Sequence, residues 1–562
     1  MSSQQPKLID TECKFIVYGK DQSDKTVDYH YVKELQHFDD GTTKSVFKAL
    51  KNLKRPFYIT KKGMQNHKEK KDFEKISNVD KFECTQSDLI YSIAKQLGQP
   101  YFRGSLRDIC SSPYVYMADL DSCSYFKKTL YQDRMNSKDL FTPYKIAVFD
   151  VETNVLSEDE EIIMASVTCG DTVYHAVCDY VLKSPKTYEQ DIVSAMNKHS
   201  PDLVKTRNLK FHIKVVSTPV QVLQFVINGA HEIRPDILTG WNLDFDIGKA
   251  IQACENENYP IEYIFSHPTL PKSQKFFKYV KSPEHKVTAS GKSQPIMNYD
   301  RWHWVHTPAT FMIIDFMQAY KRNRIGSPEL PRYSLEAILE HEEIGVSKLK
   351  IKEAEAYKGL DWHIFMQRNF IIDYGAYNII DCIAPEMLDE KTVDLSIKLP
   401  TLLEFSHPSI YHKQPRHASN LITFDALEDG YVFATAGNQK DEFDKYIDSR
   451  SGWITAQPTL ALLDEGLECT EIEGLKTRLF VACLDSDVSG AYPSNQIVGN
   501  VAVITTAVEF VDYPGLNISK PMCRQFTLDT LCGQVNHITT MNKMCKLPTL
   551  SSISELFDKI NK

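Results

Sequence analysis

One short stretch constrains this chain more than any other: Tyr144 to Thr153, reading YKIAVFDVET. Ile146 and Val148 alternate with Ala147 and Phe149, an apolar, partly β-branched run of the length of a buried strand. The run ends in Asp150-Val151-Glu152. Residues two apart on a strand face the same way, so two carboxylates leave one face side by side. Like charges so placed repel and raise each other's pKa. A divalent cation between them removes that cost, and Mg²⁺ and Mn²⁺ favour carboxylate and water oxygens. The same tripeptide also suits a strand that ends in solvent, so the question is whether other acids converge on this pair.

A chain of 562 residues is long enough for roughly three or four domains at about 150 residues each. Its 42% hydrophobic and 25% charged content is that of folded globular domains rather than of a disordered chain. A net charge of −9 excludes a generally basic nucleic-acid coat, while leaving room for local basic surfaces and acidic metal sites. The 13 cysteines are scattered and include no C-x-x-C pair, as expected of reduced thiols in a cytoplasm. The N-terminus lacks an apolar signal core, and no run approaches the ~18 apolar residues of a membrane span.

Residues 1–142 read as a separate mixed domain, with strands at FIVYGKD (15–21) and PYVYMADL (113–120). Between them lies a lysine-rich segment, from Lys44 to Lys75, that includes Arg55 and is interleaved with Phe47, Phe57 and Tyr58. It suits a phosphate-tracking surface with stacking partners, and equally a solvated face. The second unit spans 143–381. Residues 160–177 read as two strands joined at Gly170-Asp171. TPVQVLQFVINGAHEIRPD reads as a helix with Val220, Leu223, Val226 and Ile227 on one face, ending at Arg234-Pro235. Ile237-Leu238 suits a strand, Thr239-Gly240 a turn, and Asn242 and Asp246 then sit at the start of a helical pattern. FMIIDFMQAY (311–320) reads as a strand passing into a helix, with Ser334 as the N-cap of the next one. The segment 373–391 reads as a helix whose Tyr377 and Asp381, four apart, share a face. Taken singly, Asn242 or Asp246 could cap a helix and Tyr377 could be a core residue.

Taken together, Asp150, Glu152, Asp246 and Asp381 are four carboxylates, enough for two Mg²⁺ ions roughly 4 Å apart. One ion activates a water and the other stabilises a leaving oxygen, while Tyr377 can orient the water. The chemistry expected is hydrolysis of a phosphodiester.

This order of motifs resembles the DEDD 3′→5′ proofreading exonucleases, in the variant with Tyr in the third motif. The surrounding text resembles the exonuclease domain of family B DNA polymerases of the T-even bacteriophage type. The resemblance is carried by TGWN at 239–242, by DFMQAYKRN…PRYSLEAILEHEEIGVSKLK at 315–350 and by YNIID at 377–381. It implies an RNase H-like exonuclease domain with Asp150, Glu152, Asp246 and Asp381 as metal ligands for two Mg²⁺ or Mn²⁺ ions and Tyr377 as the water-orienting tyrosine. The Asn242-to-Asp246 step is one residue shorter than is usual in the polymerases. Asp246, preceded by Phe245, is the expected ligand, with Asp244 as its rival.

The resemblance continues into a partial polymerase palm over 426–562, with 382–425 returning to the N-terminal domain. The whole is thus expected to be a multidomain chain of α/β and α+β parts. LFVACLDSDVSGAYPSNQ at 479–496 resembles palm motif A. Aligned on Tyr492-Pro493-Ser494, Asp487 matches the metal carboxylate and Tyr492 the residue that packs against the sugar of an incoming nucleotide. The family's fingers lysine helix and its second palm carboxylate motif have no counterpart here, and 68 residues after Ser494 are too few for fingers, palm and thumb. The resemblance therefore implies one half of a split viral replicative polymerase, in the cytoplasm of an infected bacterium. Its partners would be single-stranded DNA, primer–template, replisome proteins, and a second chain without which dNTPs could not be used. The strand-like run at 501–513 would want pairing. Two other readings stay open: a free-standing 3′→5′ exonuclease, and a nucleic-acid-binding protein without catalysis.

Overall fold

A computed structural model describes residues 6–138, 140–287, 293–345 and 351–435, together with two short strand pairs further on. The chain forms two compact units, Met1–Asp448 and Ser449–Lys562. In the second, Cys469–Glu471 pairs with Arg478–Phe480 and Thr506–Ala507 with Phe526–Thr527, both antiparallel. Asp487, Tyr492 and most of the 501–513 run lie outside the described residues.

The first unit is mixed α/β around an eight-stranded sheet. Its strands lie in the order Lys210–Val216, Thr172–Cys178, Ile162–Cys169, Ile146–Thr153, Ile237–Gly240, Met312–Asp315, Trp304–His306 and Lys278–Val280. The Ile146–Thr153 strand runs parallel to Ile237–Gly240, which is parallel in turn to Met312–Asp315. On its other side it pairs antiparallel with Ile162–Cys169. That strand turns through Gly170, whose φ of 62° suits a residue without a side chain, into Thr172–Cys178. Phe149 and Val151 enter the core on one face of the sheet together with Val220, Leu223, Val226 and Ile227. These four form the apolar stripe of the helix Pro219–Ile233. Thr218 caps that helix by accepting from the Gln221 N–H, Pro219 occupies its first position, and Arg234 ends it in the left-handed region. The opposite face is covered by the helices Tyr188–His199 and Ile371–Thr392, through Ile192, Met196, Ile379 and Ile383. Each such side chain, fully buried, contributes roughly 1.5–3 kcal/mol. The central strands are held from both sides, and the carboxylates they carry are held with them.

The N-terminal strands Leu8–Lys20, Asp28–Phe38 and Thr43–Lys51 form an antiparallel sheet. It shares a core with the central sheet, where Phe15, Val17 and Tyr31 meet Ile237, Met312 and Ile314. A buried ion pair, Lys33 to Asp236 at 2.8 Å, crosses the same junction. Later in the chain, Phe405, Phe424 and Val432 pack with Tyr58, Tyr116 and Leu120, and Tyr431–Phe433 pairs with Phe73–Lys75.

Two local expectations do not hold. Of PYVYMADL only Val115–Tyr116 is a strand, because Met117 takes a φ of 57° and turns the chain away. The lysine-rich segment is not a surface with interleaved stacking partners. Phe57 and Tyr58 are buried, and Phe47 stacks on Tyr31 and His267. Arg55 is 2% exposed and donates inward to the carbonyls of Leu120 and Met117. The strand Arg55–Thr60 is central in its own small sheet, between Val79–Cys84 and Val115–Tyr116, which draws its aromatics inward. Among the described residues no helix is long and apolar enough to cross a membrane.

Candidate active site

Alternation along Ile146–Thr153 decides where the first two acids point. Phe149 and Val151 face the core under Pro219–Ile233. Asp150 and Glu152 therefore face the other way, onto Ile371–Thr392. Asn378 of that helix donates from Nδ2 to Asp150 Oδ2 at 2.6 Å, and the Tyr374 hydroxyl donates to Glu152 Oε2. Tyr374, Tyr377 and Asp381 sit at i, i+3 and i+7 of the helix, one stripe toward the strand. Tyr377 is 5% exposed, hydrogen-bonds Asp381, and has the Trp362 ring edge-on at 4.9 Å.

The third acid arrives from the other side. The strand Ile237–Gly240 delivers the chain to the helix Leu243–Asn256, whose first turn carries Asp246. Asp246 is buried, and its Oδ1 accepts from the Val151 N–H at 3.2 Å, between Asp150 and Glu152. Gly240 makes this possible. A Cβ there would lie 3.0 Å from both Asp246 Oδ2 and the Phe149 carbonyl oxygen. Asp244, the rival, points elsewhere, accepting from the Tyr279 hydroxyl at 2.6 Å and pairing with Lys281 at 3.1 Å. Burial would raise its pKa, but these two partners outweigh burial and hold it below the usual carboxylate range.

The electrostatics join the four acids. Burial holds Asp150 well above the ordinary carboxylate range, and the charges of Asp246, Glu152 and Asp381 push it further the same way. Burial raises Asp246 as well. Each charge makes the next one costlier, the situation that a bound cation relieves. The donors are all hard carboxylate oxygens, which suits Mg²⁺ or Mn²⁺. Among the described residues no group of three or more Asp, Glu, His or Cys is placed so as to hold a metal ion as it stands. The acids rest instead on protein donors: Asp150 on Asn378, Glu152 on Tyr374 and Asp246 on Val151. Burial, together with Asp381 and Glu152, pushes the Tyr377 phenol well above its usual value, so it stays a protonated donor.

Several positioning residues escaped the sequence reading. Asn378 lies within YNIID, and Tyr374 one turn earlier, where helical spacing from Tyr377 could have found it. Gln367 clamps the chain beyond Glu152, donating to the Thr153 carbonyl at 2.7 Å and accepting from the Val155 N–H at 3.2 Å. Asp315, at a strand end before a helical pattern, accepts from Gln318 N and from Leu243 N, both at 2.9 Å. It thereby caps its own helix and fixes the start of the helix that carries Asp246. Asn242, despite standing at the cap position, makes no side-chain cap bond.

Asp315 is fully buried, and burial raises its pKa from 3.8 to about 8. Between those values the folded chain holds a proton that the unfolded chain has lost. Its contribution to stability is therefore whole below pH 3.8 and is lost as pH rises toward 8, with a slope of about 1.4 kcal/mol per pH unit. Asp315→Asn, which keeps an oxygen acceptor and cannot ionise, is expected to flatten the decline of the metal-free melting temperature over that window. An unchanged slope in thermal melts at several pH values would count against the assignment.

Compared with models of protein families and with curated proteins, the sequence matches none.

Proposed function

We propose that the chain is a two-metal 3′→5′ exonuclease acting on single-stranded DNA, and forms the exonuclease-bearing part of a family B DNA polymerase. One observation carries the nuclease reading. Asp150 and Glu152 meet Asn378 and Tyr374 of the helix that carries Tyr377 and Asp381, and Asp246 reaches the Val151 N–H between them, so acids from three separate segments gather beside a buried tyrosine. A surface that only binds nucleic acid gains nothing from clustered acids facing phosphate. The sheet supports it. Five central strands, with the second alone antiparallel and the first flanked by the second and fourth, have the order of an RNase H-like sheet.

Asp150, Glu152, Asp246 and Asp381 would hold Mg²⁺ or Mn²⁺, which when bound supplies an activated water and a charge to offset the leaving oxygen. The chain's own side chains do the rest. Neutral Tyr377, whose one proton is on Asp381, can accept from the attacking water and so orient it. Tyr374 steadies Glu152, and the Trp362 ring walls the site beside Tyr377. The buried floor under Asp150 limits how far its carboxylate can swing, and fixed placement is where such a site gains rate.

The polymerase half rests on the motif A resemblance of Asp487 and Tyr492. In that family, nucleotide addition takes a second palm carboxylate and a triphosphate-binding lysine besides a motif A carboxylate such as Asp487. The test uses the full chain, 3′-labelled single-stranded DNA and a primer–template in Mg²⁺, with and without dNTPs. Trimming from the 3′ end is expected from residues 1–562 alone, and extension only together with a polypeptide carrying fingers, a second palm carboxylate and thumb. No trimming would sink the nuclease reading. Trimming without extension in the presence of such a partner would leave a free-standing exonuclease.

A further inference from the structure

Behind Asp150 lies a run of four polar side chains with no access to water. Asn378, Ser166 and His175 are each 0% exposed and Tyr188 is 1% exposed. They are linked end to end. Asn378 meets Asp150 Oδ2 at 2.6 Å, Ser166 Oγ meets Asn378 Oδ1 at 2.5 Å, His175 Nδ1 meets Ser166 Oγ at 2.8 Å, and the Tyr188 hydroxyl meets His175 Nε2 at 2.9 Å. They come from four elements: two neighbouring strands and the two helices that cover them.

Once Asp150 is ionised, as a bound cation would make it, hydrogen-bond capacity allows one direction only. An ionised Asp150 can only accept, so the Asn378 amide turns its NH₂ to it and its oxygen to Ser166. Ser166 spends its single proton on that oxygen and must accept from His175 Nδ1–H. Burial lowers the His175 pKa to about 3, so the imidazole is neutral, and Nε2 accepts from the Tyr188 hydroxyl. Every donor in the run thus points toward Asp150.

The backbone is cut to fit. A Cβ at Gly375 would lie 2.3 Å from the Tyr188 oxygen, 2.7 Å from Ile192 Cδ1 and 3.4 Å from His175 Nε2. Gly375 and Asn378 lie one turn apart on the same helix, which ordinarily favours alanine over glycine by about 1 kcal/mol. Aliphatic side chains of similar size would fill this space without the cost of desolvating four polar groups.

We infer that Asn378 is the positioning residue of the metal site, held by the Ser166–His175–Tyr188 chain so that one oxygen of Asp150 is tied to the protein and the other is presented to the cation. The inference rests on the nuclease reading for its metal. Outer-shell donors of this kind orient ligands and typically alter metal affinity by 10–100-fold when removed. The aligned donors also place positive dipole ends on Asp150 against the field of the other three acids. Loss of the Ser166 hydroxyl would free the Asn378 amide to turn its oxygen toward the carboxylate.

The test reads Mn²⁺ binding to the full chain, without DNA or turnover, by the paramagnetic resonance of free Mn²⁺. The ions lost in an Asp150→Ala/Glu152→Ala variant define the site. Ser166→Ala removes one oxygen and little volume, and Asn378→Ala removes the donor itself. Both are expected to weaken Mn²⁺ binding at that site by about 10–100-fold, with Ser166→Thr, which keeps the hydroxyl, close to wild type. Should Asn378→Ala fail to fold by circular dichroism, Ser166→Ala against Ser166→Thr carries the test alone. Affinities for Ser166→Ala within about twofold of wild type, far short of that range, would overturn the inference while leaving the nuclease reading intact. A wild-type chain that binds no Mn²⁺ at these acids would overturn both.

Discussion

The Asp150→Ala/Glu152→Ala chain is expected to lose 3′→5′ hydrolysis by roughly 10²–10⁴-fold, the several kcal/mol of transition-state stabilisation that a bound ion supplies, at about 1.4 kcal/mol per factor of ten. The two side chains lie on the face away from the core that Phe149 and Val151 enter, so neither removal opens an apolar cavity. Far-UV circular dichroism should therefore match wild type while labelled single-stranded DNA survives intact. The control is Asp244→Ala. Asp244 is bound to Tyr279 and Lys281 rather than to the other acids, and its loss should leave most of the rate. If Asp244→Ala destroyed hydrolysis while Asp246→Ala spared it, the ligand assignment would be reversed.

Phe149→Ala is expected to be the most damaging single change to stability near the site, at about 3–5 kcal/mol. Phe149 is 0% exposed, in the same core as Val226, Leu243 and Ile247. Its removal empties the space between the sheet and both helices on that side. The strand that carries Asp150 and Glu152 then loses its backing, so the calorimetric transition of the first unit should fall, and metal affinity with it. Phe245→Ala is the matched comparison. That ring stands beside Asp246 in sequence but is 44% exposed, and an exposed substitution of this kind usually shifts stability by less than about 0.5 kcal/mol. Equal melting behaviour of the two variants would show that the packing account of this strand is wrong.

The two phenylalanines mark where a sequence can be read and where it cannot. Phe149 lies in an apolar run with period-two alternation, and that pattern alone implies burial. Phe57 and Tyr58 stand among lysines, and their surroundings suggest a surface. They are buried because their strand is central in its sheet, paired on one side with Val79–Cys84 and on the other with Val115–Tyr116. That arrangement depends on partners about 20 and 60 residues away, outside the reach of any local pattern. Arg55 is a sharper case. Two backbone carbonyls near residue 120 satisfy its guanidinium inside the protein, and no feature of its neighbours in sequence announces them.

The same division runs through the site. Short-range geometry is written in the chain itself. The strand repeat sets Asp150 and Glu152 on one face, and the helix repeat sets Tyr377 above Asp381, because a backbone with two soft torsions per residue has few regular forms. Choices among equivalent neighbours were left to tertiary contacts. Asp244 and Asp246 sit two apart on the first turn of one helix and are alike in chemistry. They are told apart only by what each meets: Tyr279 and Lys281 in one case, the Val151 N–H in the other. Asn378 reads locally as an ordinary polar residue of a helix, and becomes the keeper of Asp150 only once Ser166 and His175 are folded beneath it. Local sequence determines which way a side chain points from its own backbone. What it points at is decided by packing between distant segments, since a buried polar group is stable only where the whole fold brings it a partner.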